Sequence, residues 1–138
     1  MYTASCLCGG IRFEIKGELE SIQICHCVQC RKAQGSAFVT NVPVKEANFN
    51  IVTGTDLLTC FESSPGKKRC FCKVCGSPIY SKTEKLQGVV RLRAGLIDGD
   101  LRTKPFAHFH VVSKVNWLDI CDDFPQFTEG FVPKSKKL

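Results

Sequence analysis

Short apolar or alternating segments, separated by Gly, Pro, Asn and Asp, dominate the chain. Segments of about four to eight residues that are rich in Val, Ile and Phe are typical of β-strands. No stretch repeats its apolar positions at the 3.6-residue period of a helix over three turns. The pattern therefore predicts a mainly β protein. The strands are expected at residues 11–15, 37–42, 49–52, 57–61, 89–93 and 108–112.

A few turns of helix are expected to follow Cys30, because Gly35 suits the left-handed position at which many helices end. No linker, composition shift or low-complexity block divides the chain. We therefore expect a single domain over residues 1–131, followed by a basic C-terminal tail over residues 132–138. A chain of 138 residues is long enough to bury a core without help from disulfides.

Neither membrane insertion nor secretion is expected. No apolar run approaches the roughly 20 residues that a membrane helix needs, and the first residues lack the basic and apolar segments of a signal peptide. We therefore expect a cytoplasmic protein. The formal net charge of +6 includes Lys134, Lys136 and Lys137 of the tail, so the body of the chain is only weakly basic. Nucleic acid is not expected as a partner.

Ten cysteines in a chain of this length indicate either a disulfide framework or metal ligation. Two cysteines separated by one residue are too close to form an unstrained disulfide with each other. A chain without a secretory signal is also expected to stay where thiols are kept reduced. Metal ligation by thiolates is therefore the favoured interpretation.

Most of the cysteines lie in three motifs, at residues 6–8, 25–30 and 72–75. Cys-x-Cys in an extended segment places two sulfurs on one side, and Cys-x-x-Cys does so through a tight turn. Two such pairs would build a closed, structural Cys₄ zinc site. Three thiolates at residues 25–30 would leave one position open for water or substrate, as in catalytic zinc sites. Spacing alone does not fix the pairing, because Cys25 and Cys27 could join Cys6 and Cys8 at one ion, or Cys70 could complete the cluster at residues 25–30.

Four runs of the chain, residues 5–13, 25–35, 69–78 and 108–117, resemble the glutathione-dependent formaldehyde-activating enzyme family, which is related to centromere protein V. The resemblance implies a β-tent fold of small stacked antiparallel sheets with zinc-binding turns. It also implies two Zn²⁺ ions per chain, one structural and one catalytic. The structural ion would be held by Cys6, Cys8, Cys72 and Cys75, and the catalytic ion by Cys25, Cys27 and Cys30.

The resemblance implies a zinc-dependent carbon–sulfur lyase that acts on an adduct of a small thiol and an aldehyde, such as S-hydroxymethylglutathione. Its small-molecule partners would be a glutathione-like thiol and formaldehyde. Zinc could present the thiol as a thiolate or polarise the aldehyde oxygen, and the sequence leaves both roles open. The alternative is a non-catalytic, zinc-stapled module that binds a protein or nucleic-acid partner.

The remaining polar and sulfur side chains carry weaker expectations. His26 should point away from the metal, because it lies between two ligands in an extended segment. His108 and His110 are expected to share one face of a strand. Cations near the motifs are expected to offset thiolate charge, namely Arg31, Lys32 and Arg69. The cysteines outside the ligand sets are expected to be small buried hydrophobic residues, namely Cys60, Cys70 and Cys121.

Overall fold

The computed structural model describes residues 1–130, so the predicted tail at 132–138 lies outside the described residues. The prediction of a mainly β protein is confirmed. The strands are β1 (Tyr2–Ser5), β2 (Arg12–Ile15), β3 (Ile22–Cys25), β4 (Val39–Lys45), β5 (Phe49–Thr53), β6 (Leu58–Ser64), β7 (Lys67–Cys72), β8 (Pro78–Thr83), β9 (Val89–Arg93) and β10 (Pro105–Phe109). The α-helix is α1 (Val28–Gln34), and 3₁₀ turns occur at Glu46–Asn48, Thr55–Leu57, Ala94–Leu96 and Val111–Ser113.

The strands form two sheets. The smaller sheet has the order β1-β2-β5, and the larger has the order β10-β3-β4-β9-β8-β7-β6. All pairs in both sheets are antiparallel except β10 with β3. None of the helices in residues 1–130 is long and apolar enough to cross a membrane.

The hydrophobic core lies between the two sheets. Phe13 and Ile15 of the small sheet pack in one buried cluster with Val42, Val90 and Leu92 of the large sheet. Burying each such side chain stabilises the fold by about 1.5–3 kcal/mol. The alternation of β-strand side chains then places the intervening residues of β4 and β9 on the opposite face of the large sheet.

That opposite face is polar and largely buried. The register places Gln23, Asn41 and Arg93 side by side on β3, β4 and β9. A second row runs from Arg91 through Ser81 to Arg69 on β9, β8 and β7. We call this surface the polar face, and its side chains are Gln23, Cys25, Asn41, Lys67, Arg69, Ser81, Arg91 and Arg93.

Two local predictions compare differently with the structure. Gly35 ends α1 in the left-handed conformation, with φ of 62°, as its position after the helix predicts. The predicted strand at 108–112 is wrong in its second half, because β10 ends at Phe109 and His110 takes a φ of 56°. His110 N–H donates to the carbonyl of Glu129 at 2.9 Å instead of continuing a ladder. His108 and His110 therefore do not share a strand face.

The expectation that all three remaining cysteines are buried hydrophobic residues is wrong. Cys60 and Cys70 are directly opposite each other on β6 and β7, and their sulfurs form a disulfide. Cys70 is buried, whereas Cys60 is exposed. Cys121 is a free and exposed thiol.

Candidate metal centres

The first cluster joins the turn after β1 to the end of β7 and the turn that follows it. The sulfurs of Cys6, Cys8, Cys72 and Cys75 all lie within 4.8 Å of one another. Cys8 Sγ is 3.5 Å from Cys6 Sγ and 3.9 Å from Cys72 Sγ. Tetrahedral sulfurs at about 2.3 Å from zinc would be about 3.8 Å apart. The four sulfurs therefore fit a closed tetrahedral metal site.

Two glycines and a serine shape this cluster. Gly9 and Gly76 follow the two cysteine pairs with φ of 75° and 78°, a conformation that glycine adopts without a steric penalty. Ser77 connects the turns, because its Oγ accepts a hydrogen bond from Leu7 N–H at 2.9 Å. The two turns are thus held together by contacts that do not involve the sulfurs.

The thiols of the first cluster have pKa values shifted in opposite directions. Hydrogen bonds from the side chain and backbone of Ser77 lower the pKa of Cys75 to about 5. The backbone N–H of Gly10 lowers the pKa of Cys8, but Cys6 and the other nearby thiols outweigh it and raise that pKa to about 11. Four thiols this close cannot all ionise without positive charge among them. A divalent cation would supply that charge, so the donor set fits Zn²⁺.

The second cluster is local, because a strand runs directly into a helix. Cys25 ends β3, Cys27 is the N-cap of α1, and Cys30 lies in the first turn of α1. Their sulfurs also lie within 4.8 Å of one another. Cys27 Sγ accepts the backbone N–H of Cys30 at 3.3 Å, the hydrogen bond that Ser or Asp usually accepts at this position. Within residues 1–130, no fourth His, Cys, Asp or Glu joins this cluster.

Ionisation in the second cluster is uneven. Hydrogen bonds from Cys25 and Cys27 lower the pKa of Cys30, while hydrogen bonding with Cys27 and Cys30 raises the pKa of Cys25. Arg69 Nη2 donates to Cys30 Sγ at 3.7 Å, in keeping with the expected role of this cation in offsetting thiolate charge. Full ionisation of the three sulfurs requires more positive charge at their centre, so this donor set also fits a divalent metal ion.

A cavity of about 100 Å³ opens beside the second cluster. Its lining includes the three cysteines, Lys67 and Arg91 from the polar face, and His110 and Gly130 from the segment after β10. Pockets that enclose drug-sized ligands have volumes of about 300–1,000 Å³. A small molecule, or the small end of a larger one, could therefore contact the sulfurs.

A buried hydrogen-bonded chain lies next to the second cluster. His26, 2% exposed, has its Nε2 at 2.8 Å from His108 Nδ1. His108 Nε2 lies 3.0 Å from a carboxylate oxygen of Asp122. Because a carboxylate only accepts, His108 Nε2 carries the proton, and a neutral His108 then accepts from His26 Nε2–H. The ring of His26 therefore forms a hydrogen bond with a histidine 82 residues away in the sequence, and not with the sulfurs.

The structure gathers the seven predicted ligand residues into the two predicted sets. Cys70 does not complete the second cluster, because it is bonded to Cys60. Asp122, Lys67 and Arg91 also lie at or near the second cluster, and motif spacing gives no indication of them. Of these three residues, only Arg91 could have been placed from the sequence, because it alternates with apolar residues on a strand that the pattern predicts.

The comparisons with known proteins agree with this geometry. The sequence profile named glutathione-dependent formaldehyde-activating enzyme matches residues 1–113. Two relatives named putative glutathione-dependent formaldehyde-activating enzyme, from Aspergillus flavus and Aspergillus oryzae, are 26% identical to this chain over 129 residues. That match covers 92% of this chain and 58% of each relative. The chain therefore spans a little over half the length of these relatives.

A Schizosaccharomyces pombe protein named an uncharacterized lyase matches over nearly full length. It is 27% identical over 138 residues, which is 97% of this chain and 96% of that protein. A crystal structure of a Rhodobacter sphaeroides protein has the same fold, with a TM-score of 0.62 and 17% identity over 74% of this chain and 97% of that one. The family profile matches most of the sequence. The chain belongs to the glutathione-dependent formaldehyde-activating enzyme family.

Proposed function

We propose that this protein is a zinc-dependent carbon–sulfur lyase that forms and cleaves the adduct of a small thiol with an aldehyde. S-hydroxymethylglutathione, formed from glutathione and formaldehyde, is the proposed type of substrate. The observation that carries the proposal is the second cluster, in which three thiols meet beside an open cavity. Three protein ligands leave one tetrahedral position of zinc for a substrate atom.

The proposed reaction is the reversible addition of a thiol to a carbonyl group. A bond forms between sulfur and the carbonyl carbon, the π electron pair moves to oxygen, and the thiol proton ends on that oxygen. Cleavage of the adduct runs these changes in reverse. Zinc, when bound, favours the thiolate form of a thiol and polarises a carbonyl oxygen.

The residues around the cavity support this chemistry. Cys27 is held by the N–H of Cys30, and Cys30 is 3% exposed, so both sulfurs are fixed in place. His110 is the histidine that lines the cavity. An imidazole at this place could accept the thiol proton and return it to the oxygen, which is the usual role of a general acid–base group.

The size of the cavity favours a small aldehyde. A volume of about 100 Å³ accommodates formaldehyde and the CH₂–S end of a thiol. The remainder of a glutathione-sized thiol would then lie toward the outer opening. The first cluster would hold the second zinc ion and tie the turn at Cys6 to the turn at Cys75, which is a structural role.

The direct test is an assay of S-hydroxymethylglutathione formation and breakdown with zinc-loaded protein, after subtraction of the uncatalysed reaction. Wild type should accelerate both directions, and Cys30→Ser should return the rate to the uncatalysed value. Cys121→Ser is the matched control, because Cys121 is a free cysteine outside both clusters and should be dispensable. No acceleration with glutathione or any other small thiol would refute the proposal, as would full activity of Cys30→Ser.

A further inference from the structure

Four cations share the polar face beneath the second cluster. Three neighbouring strands place Arg69 of β7, Ser81 of β8 and Arg91 of β9 side by side in one row. Lys67 and Arg93 lie two residues along the same strands, so their side chains project from the same face. The sequence and the register therefore concentrate positive charge on one side of the cavity.

Two of these cations have partners within the fold. Arg69 Nε donates to Ser63 Oγ at 3.0 Å, and Arg69 Nη2 donates to Gln29 Oε1 at 3.4 Å. Arg93 Nη1 donates to Asn41 Oδ1 and to Ser81 Oγ. These two guanidinium groups hold the polar face together.

Lys67 and Arg91 differ from that pair. Both are half-buried and line the cavity with the three cysteines. Within residues 1–130, neither side chain has a hydrogen-bond or carboxylate partner; Lys67 is attracted only by the thiolates of Cys27 and Cys30, and none of the residues lining the cavity is acidic. A half-buried cation without a partner is costly, so a ligand that supplies an anion would be bound favourably.

The negative charge of the three thiolates is too small to neutralise Lys67 and Arg91 in addition to Arg69 and Arg93. Four cations on the polar face already outnumber the three thiolates of the second cluster. A divalent metal ion adds two further positive charges. Positive charge therefore remains in excess at the cavity, and it is found on the two side chains that lack partners.

We propose that Lys67 and Arg91 form a carboxylate-binding subsite that selects thiols carrying a carboxylate over thiols without one. The inference rests on the proposed function, because it names the class of thiol that the second cluster would receive. Arg69 is aligned with Arg91 across β8, and Lys67 lies two residues from Arg69, so the backbones of Lys67 and Arg91 are about 12 Å apart. Two long side chains that converge on one cavity from that separation can bracket a single carboxylate.

The test measures binding, so that it does not depend on turnover. Isothermal titration calorimetry on the zinc-loaded full chain compares 3-mercaptopropionate with its methyl ester, which has the same thiol but no negative charge. Wild type should bind the acid about tenfold more tightly than the ester, since one charge-assisted hydrogen bond contributes about that factor. Lys67→Met and Arg91→Met should each remove most of this preference while leaving ester binding and zinc content unchanged.

Two further variants separate recognition from general effects. Lys67→Arg keeps the charge and should retain the preference for the acid. Lys68→Met is the matched control, because Lys68 is the next residue along the strand and is exposed on the other side. It should behave as wild type.

Equal affinity of wild type for acid and ester, or no binding of either, would overturn the proposal whatever the variants do. An unchanged preference in folded Lys67→Met and Arg91→Met would also overturn it. A tenfold preference without lyase activity would sustain the subsite and refute the proposed reaction.

Discussion

His26 Nε2 lies 2.8 Å from His108 Nδ1, although the two histidines are 82 residues apart in the sequence. His26 lies between Cys25 and Cys27, and its backbone N–H donates a hydrogen bond to the backbone carbonyl of Phe109 at 2.9 Å. The motif of the second cluster is therefore attached to β10 by one backbone and one side-chain hydrogen bond. Asp122 extends the attachment to the segment that follows, so the placement of the sulfurs depends on residues far from them in sequence.

His26 should remain neutral in mildly acidic solution. Burial, followed by the charges of His108 and Lys114, lowers the pKa of His26 to about 4. An unfolded histidine titrates near 6.5, so the unfolded chain gains this proton first as the pH falls. The contribution of a neutral His26 to stability is thus fully present above about pH 6.5 and is lost as the pH falls through about 4. Nitrogen NMR of the ring at about pH 5.5 should show the neutral form, whereas a titration midpoint of 6 to 7 would contradict the buried network.

The two cysteine clusters should differ in what their loss does to the fold. Cys75→Ser removes a sulfur from a cluster that joins segments far apart in the chain, so we expect metal binding there to be coupled to folding. We expect insolubility or a stability loss of several kcal/mol. Cys30→Ser alters a cluster that spans only residues 25–30, and should leave a folded protein that lacks one zinc ion. Thermal unfolding and zinc content of both variants check this, and the reverse outcome would exchange the two roles.

Thiol reactivity should report the state of all ten cysteines. Eight are free, and all of these except Cys121 belong to the two clusters. A mild thiol reagent should therefore modify about one thiol per chain when zinc is bound, because zinc protects its thiolate ligands. Chelation should expose the remaining seven of the clusters, and reduction should add Cys60 and Cys70. Rapid reaction of many thiols before chelation would show that the clusters do not hold metal.

Gly54 should be much less tolerant of substitution than another glycine with the same backbone conformation. Gly54 has φ of +85°, and an added Cβ would lie 2.2 Å from the carbonyl oxygen of Gly10. Gly17 has φ of +80° and no atom within 4 Å of such a Cβ. Gly17→Ala should cost about 1–2 kcal/mol from its backbone alone, and Gly54→Ala clearly more, because backbone must move beside the first cluster. Equal costs in chemical denaturation would show that the close approach is unimportant.

The cysteine pairs and the β class are predictable from the sequence because their signals are local, whereas the joining of two pairs into one set is implied only by the family resemblance. One turn brings Cys6 and Cys8 together, and another brings Cys72 and Cys75 together. Apolar alternation likewise marks β9, where Val90 is buried next to half-buried Arg91. Patterns of this kind are set by residues close together in the sequence and depend little on the rest of the chain.

Other features depend on long-range register, which no short window contains. Cys60 and Cys70 form a disulfide because β6 and β7 pair in one register, and a shift of one residue would separate them. Lys67 and Arg91 line the same cavity because the register of β7, β8 and β9 places both on the polar face. The site of Asp122 depends on an irregular segment that returns to β10, and composition alone does not predict that return.

The proposed function requires the second cluster to be an open metal site with three sulfur ligands. Zinc K-edge X-ray absorption on metal-replete wild type, with zinc content measured on the same sample, measures this coordination. We expect about two zinc ions per chain, one with four sulfurs and one with three sulfurs and a single oxygen or nitrogen at about 2.0–2.1 Å. The average should be about 3.5 sulfurs per zinc. A single zinc ion per chain, or two ions coordinated by sulfur alone, would contradict the claim.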